Sequence, residues 1–229
     1  MRNQPLAALF TIAAALLAGA APASPASPAS PASPASDTAL WQRDVDAAFA
    51  AARSGGKLLL VDAYADWCGW CKTLDREVFP QPEFALATRD FVLLRIDVED
   101  GGRGTELADR YQAWSLPTLL ILEPSGALAG TVEGYAPLPD YLARLRAELA
   151  TRERRLDAWA KTLAGGDTAA LRRMAVDFYE RHDGERAAAL LERLLAIASL
   201  EPREQAWTRY FLADAWRMAG DLPRARAAA

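Results

Sequence analysis

Trp67-Cys68-Gly69-Trp70-Cys71-Lys72 carries both cysteines of this 229-residue chain. They stand three apart, after an apolar run at Leu58 to Val61 and before a stretch of helical character. Whatever fold forms must therefore hold two sulfurs at the junction of a buried strand and a helix. Thiols at that spacing can close on each other and reopen, which is redox chemistry. Zinc sites draw four ligands, commonly from a second Cys pair or a His pair. Here there is no third Cys, and the one histidine, His182, lies far along the chain in a segment that reads as helical. A c-type haem site needs His directly after the second Cys, where this chain has Lys72. A structural disulfide remains the alternative, although closing so short a loop contributes only about 2 kcal/mol in chain-entropy terms.

The chain is 52% hydrophobic with a net charge of −4, enough for one ordinary domain and a smaller second one. The charges are of mixed sign, so nucleic acid is not an expected partner. Residues 1–23 read as a signal peptide. Arg2 supplies the positive start, Leu6 to Ala21 the apolar stretch, and Ala21-Pro22-Ala23 a small-residue cleavage site. Export to the periplasm, an oxidising compartment, is the expectation. The alternative is membrane anchoring through an uncleaved N-terminus. Residues 24–36 form a Ser-Pro-Ala repeat with no large apolar side chain to bury, expected to be an extended tether.

Between 37 and 150 the pattern alternates. Asp44 to Arg53 reads as an amphipathic helix ended by Ser54-Gly55-Gly56, and Lys57 to Tyr64 as a buried strand. Lys72 to Val78 is the helix behind the dithiol, broken by Pro80 and Pro82. A strand at 91–98, a helix at 105–111, strands at 118–122 and 128–133, and a closing helix at Leu138 to Leu149 follow. The expected fold class is α/β, a central mixed sheet flanked by helices, followed by a small all-α segment.

Residues 38–149 resemble the thioredoxin fold, and within it the periplasmic thiol:disulfide interchange proteins, including the C-terminal domain of the membrane-bound disulfide reductase. The resemblance lies in Lys57-Leu-Leu-Leu-Val-Asp-Ala-Tyr-Ala-Asp-Trp-Cys-Gly-Trp-Cys-Lys72, Arg76-Glu77-Val78-Phe79, Ser115-Leu116-Pro117-Thr118, and Gly134 before the last helix. It implies that Pro117 is a cis-proline beside the dithiol, leaving the Leu116 backbone free to pair with an extended substrate. It places Asp62 beneath the disulfide as proton acceptor for Cys71, and Trp67, Gly69, Trp70, Leu116 and Thr118 at the substrate surface. Trp70 departs from the Gly-Pro dipeptide of thioredoxin, and Ser115 replaces a common Gly, which leaves the direction of electron flow open.

The cysteines, Asp62 and the two tryptophans can also be read from the residues alone. Cys68 falls at a helix N-terminus, where free N–H groups and the helix dipole favour a thiolate, so it is the expected attacker. Cys71, one turn in and expected to be more buried than Cys68, is the expected resolving thiol. Asp62 is a carboxylate in an apolar strand; it is either buried with a raised pKa or at a frayed strand end in water. Trp67 and Trp70 either contact substrate or pack on the domain rim.

After Thr151 the strand signals stop. Helices are expected at 171–181, 185–197, 203–218 and from 222 onward, with Gly184 and Gly220 marking turns 36 residues apart, near the tetratricopeptide period. This segment reads as a partner-binding module, a cap on the redox domain, or a dimer interface. The expected function is an exported thiol:disulfide oxidoreductase, more a reductant than an oxidant. Its partners would be protein disulfides or dithiols, with no cofactor beyond Cys68 and Cys71 and a membrane electron donor if it reduces. The second reading is a non-catalytic adaptor.

Overall fold

The computed structural model describes residues 41–197 and 199–229. The expected signal peptide, the Ser-Pro-Ala linker and the first residues of the redox domain lie outside the described residues.

Asp44 caps helix α1 (Val45–Gly55) by accepting the Ala47 N–H at 2.9 Å, and Gly56 ends it at φ 60°, where a side chain would be strained. Strand β1 (Leu59–Tyr64) follows, then α2 (Gly69–Glu77), α3 (Pro82–Thr88), β2 (Val92–Asp97), α4 (Arg103–Arg110), β3 (Thr118–Leu122), β4 (Leu128–Glu133) and α5 (Leu138–Ala164). The sheet order is β2-β1-β3-β4, with β1 and β2 parallel and the other pairs antiparallel. A mixed sheet flanked by helices is the expected class.

Strand alternation assigns the two faces. Leu59, Val61 and Ala63 join α1 and α4 in one core, while Leu60 joins α2, α3 and α5 in the other. Asp62 alternates with Leu60 and so faces the dithiol helix. On β2, Leu94 and Ile96 enter the first core, which turns Arg95 toward Asp62, its register partner on β1. Both sheet edges are covered. Gln42 pairs beside β2, its N–H donating to Leu93 O and its carbonyl accepting from Arg95 N, both at 2.9 Å.

Two expectations need correction. The stretch after Pro80 is not merely a break, because Pro82 occupies the first turn of α3, where its missing N–H costs nothing. The closing helix does not stop at Leu149: it runs 27 residues, through position 150, to the Gly165 cap.

Beyond it lie α6 (Thr168–Glu180), α7 (Gly184–Ile197), α8 (Pro202–Met218) and α9 (Leu222–Ala228), each packed on the next. His182 is not helical; it sits in the α6–α7 turn at φ 58°. The two turns resemble each other more at their aspartates than at their glycines. His182 and Gly220 both take positive φ. Asp183 and Asp221, 38 residues apart, each accept the N–H three residues on, from Arg186 at 3.2 Å and Arg224 at 3.0 Å. Gly184 has a separate role: a Cβ there would meet Ala215 O of α8 at 2.2 Å, so the helices approach too closely for any side chain.

This helical segment docks on β4. Leu128 N donates to Arg181 O at 2.7 Å, and Arg155 donates to Ala129 O. Arg152 Nε meets the buried Glu123 carboxylate at 2.7 Å. His182 stacks edge-on against Tyr111, and its Nε2 lies 3.1 Å from Arg110 O. All of this is at the Leu59 end of β1, since Leu59 pairs with Leu122 and Ala63 with Thr118. The dithiol lies at the other end.

A fragment of residues 41–150 cuts α5, opens the β4 edge and leaves Glu123 unpaired. It should fold, with a melting temperature about 10 °C below that of residues 41–229, the equivalent of about 2 kcal/mol for a domain this size. Thermal denaturation followed by circular dichroism measures this; equal midpoints would mean that the helices add nothing to the redox domain.

Candidate active site

Cys68 and Cys71 form a disulfide. Cys68 is the N-cap of α2, and its Sγ accepts the Cys71 N–H at 3.1 Å. That donor would favour a thiolate at Cys68 once the bridge opens. Burial does not distinguish the two cysteines, at 3% and 2% exposed. Position does: Cys68 lies before the first helical turn and Cys71 within it.

Asp62 is 1% exposed. Burial pushes its pKa up from 3.8 to about 7, against the pull of the Arg95 guanidinium, while Asp75 adds to the rise. The frayed-strand alternative is therefore excluded. Arg95 Nε is 3.1 Å from Asp62 Oδ2, yet the two are not aligned as a hydrogen bond, and among the described residues both atoms are without a hydrogen-bond partner. Arg95 gives its two terminal nitrogens to Asp75, at 2.5 and 2.8 Å, and lies 4.2 Å over the Tyr64 ring. Asp75 is one turn beyond Cys71 on α2, so Arg95 links the dithiol helix to the buried carboxylate.

The Leu116–Pro117 peptide is cis. Thr118 pairs with Ala63 near the end of β1, and the chain from there enters the dithiol loop, where Cys68 N donates to Ala65 O at 3.0 Å. Pro117 is thereby brought to the dithiol end of the sheet. Among the described residues the Leu116 backbone makes no backbone hydrogen bond, whereas Pro117 O accepts from Gly134 N at 2.8 Å. Thr118 is buried with its hydroxyl donated to Ser115 O, so it shapes this loop from inside. Gly69 opens α2 at the surface.

Trp67 and Trp70 are exposed, and Trp70 also stacks on Tyr135, so its two expected roles are compatible. Sequence reasoning missed Arg95, Asp75, Trp114 and Tyr135. Arg95 was detectable as the one cation inside a buried strand; Tyr135 was not, because only the fold brings it to Trp70.

Residues 40–124 match the family model described as thioredoxin-like. Over 85 residues the chain is 40% identical to the thiol:disulfide interchange protein DsbD of Pseudomonas fluorescens, and over 114 residues 36% identical to DsbD 2 of Pseudomonas aeruginosa. These stretches are 37% and 48% of this chain but 15% and 19% of those proteins. The solution structure of a thioredoxin from Thermus thermophilus covers 47% of this chain, and the match takes in 85% of that structure, at 28% identity and a TM-score of 0.43. The mixed sheet, the Cys68–Cys71 pair at the start of α2 and the family match together make this part of the chain a thioredoxin-like domain, related in sequence to DsbD.

Proposed function

We propose that this protein is an exported thiol:disulfide oxidoreductase acting on protein disulfides, and that it works as a reductant. The observation that carries the reading is the placement of the pair: Cys68 caps α2 with its sulfur on the Cys71 N–H, and Cys71 follows one turn later on the face carrying Asp75. The relatives are named for disulfide interchange, and the N-terminal sequence has the pattern of an export signal.

The exchange runs in two steps. The Cys68 thiolate attacks one sulfur of a substrate disulfide; that bond breaks, a Cys68–substrate disulfide forms, and the released substrate thiolate takes a proton. Cys71 then gives its proton to Asp62 and attacks Cys68 Sγ, releasing the second substrate thiolate, which is protonated in turn. Two electrons pass to the substrate, and the protein is left as the Cys68–Cys71 disulfide. Asp62 suits the proton step because its pKa of about 7 lets it change state near neutrality. The unpaired Leu116 backbone offers one N–H and one carbonyl to an extended substrate segment.

Cys71→Ser should trap disulfide-linked clients and Cys68→Ser none, on non-reducing gels. Equal capture by both variants would reverse the assignment. Direction is read against glutathione: a reductant stays mostly oxidised in a buffer poised near about −180 mV, where protein disulfide isomerase is half reduced.

Asp62 makes two further outcomes measurable. Exchange should quicken as pH rises through about 7, when Asp62 becomes a base, and Asp62→Asn should remove that inflection. Stability should move the other way. A carboxyl with a folded pKa raised from 3.8 to about 7 helps the folded state most below pH 3.8 and loses that contribution as pH rises through about 7. Asp62→Asn should therefore be more stable than the parent at pH 8 and not at pH 4. The expected gain is about 2 kcal/mol, half the ~4 kcal/mol such a displacement represents, because Arg95 loses one of its partners. Denaturant titrations at the two pH values test this; a variant destabilised at both would show that Asp62 is structural.

A further inference from the structure

Trp67 and Trp70 beside the cysteines, and Trp114 on the loop that leads to the cis-proline, are each 60% exposed or more, and none of them hangs free. Trp67 Nε1 donates to Glu99 at 2.9 Å and Trp114 Nε1 to Asp109 at 3.2 Å. Trp70 lies on Tyr135 with ring centroids 5.2 Å apart, and the Tyr135 hydroxyl donates to Glu77 at 2.5 Å. The same unit is built three times: an aromatic surface open to solvent, with a carboxylate fixed at its edge or at the edge of the ring beneath it.

The strand order spreads the units across the dithiol. Glu99 follows β2, at one edge of the sheet, and holds Trp67 toward that side. Tyr135 follows β4, at the other edge, and holds Trp70 there. Trp114 stands two residues before Leu116, on the loop that carries the unpaired backbone. A substrate segment along Leu116 would meet all three.

Rings held in place before binding lose little entropy on contact. An open π face attracts a cation, and a carboxylate at its edge adds to that attraction. At 100° per residue, Lys72 and Arg76 lie about 200° and 240° round α2 from Trp70. Of the other cations at this end, Arg43 is engaged by the Tyr64 hydroxyl and ring and Arg144 by the Glu133 carbonyl. Arg110 lines the cleft beside Ser125 and His182.

We propose that this rim selects cationic polypeptide segments, disulfide substrates in which Lys or Arg flanks the cysteine, over acidic segments and over glutathione disulfide, whose carboxylates the rim would repel. The inference rests on the exchange reading above and leaves its covalent step unchanged: Cys68 and Cys71 are oxidised, and the peptide disulfide is reduced to two thiols.

The full chain, reduced and freed of reductant, is mixed with two cyclic disulfide peptides of one ring size, flanked by Arg in one and Glu in the other. Second-order rate constants come from acid quench and chromatography, each divided by the constant for dithiothreitol with the same peptide. The Arg peptide should react about tenfold faster at low salt, and the gap should narrow at high salt. Glu99→Gln combined with Asp109→Asn keeps an oxygen acceptor for each indole N–H while removing both charges, and should cut the ratio to about twofold. Trp114→Ala should lower the constant for the Arg peptide more than that for the Glu peptide. Equal normalised rates for the two peptides, or a ratio unmoved by the charge-removing variant, would overturn the selectivity and leave the exchange reading standing. Failure to react with either peptide would overturn both.

Discussion

Arg95 holds two carboxylates at once, Asp62 from the neighbouring strand and Asp75 from the helix that begins at Cys68, and the geometry of the site depends on it. A buried cation without partners costs several kcal/mol, and so does a buried carboxylate. Together they are tolerable, and their joint demand fixes α2 on the sheet, with Cys71 one turn before Asp75. The sharing is unequal. Asp75 takes two well-formed hydrogen bonds, while Asp62 has only the nearby charge, with Oδ2 left unbonded. A carboxylate held by charge rather than by fixed donors can gain and lose a proton without breaking a hydrogen bond. Asp62 is thus kept close to its titration point, and the structural cost of the buried Asp62–Arg95 pair sets the chemistry of the site.

Much of this architecture was legible, for reasons that differ by element. β1 and β3 are buried on both faces and appear as apolar runs, interrupted in β1 by Asp62 alone. A helix N-terminus at Cys68 could be placed because the dithiol falls where a strand end must turn into a helix, although the regular helix was read from Lys72 and begins at Gly69. Helix α3 was hidden because proline both breaks helices and starts them, and Pro82 does the second. The end of α5 was set early because composition changes near Thr151, yet composition does not stop a helix. Gly165-Gly166 is the first stop signal after Pro139. At the site, Asp62 stood out as a charge in an apolar strand. Its partnership with Arg95 depended on register: a shift of one residue would turn Arg95 to the opposite face.

The tandem helical turns show where a glycine count misleads. Gly184 and Gly220 are not equivalent positions. Gly220 supplies a left-handed turn residue, the place His182 takes in the preceding turn. Gly184 is there because α7 and α8 nearly touch. The matched positions are Asp183 with Asp221 and Arg186 with Arg224, each Asp capping a helix and each Arg lying near an aromatic ring, Phe178 or Trp216. Capping chemistry, more than glycine spacing, makes the two turns alike.

The two ends of β1 divide the work of the domain. At the Leu59 end, α5 and the turn after α6 cover the β4 edge, and α5 pairs Glu123; at the Tyr64 end, the chain enters the dithiol loop. The strand between them spans about 16 Å at 3.3 Å per residue. Covering the sheet at the first end satisfies strand groups that would otherwise recruit another chain. Among the described residues it leaves the second end uncovered, and that is where Trp67, Trp70 and Trp114 stand exposed. A sulfur that must meet a partner's disulfide needs open surface around it, whereas a sheet edge is safest without any. Docking the helices at the end away from Cys68 meets both requirements, and it confines the exposed aromatic surface of the redox domain to the neighbourhood of its reactive bond.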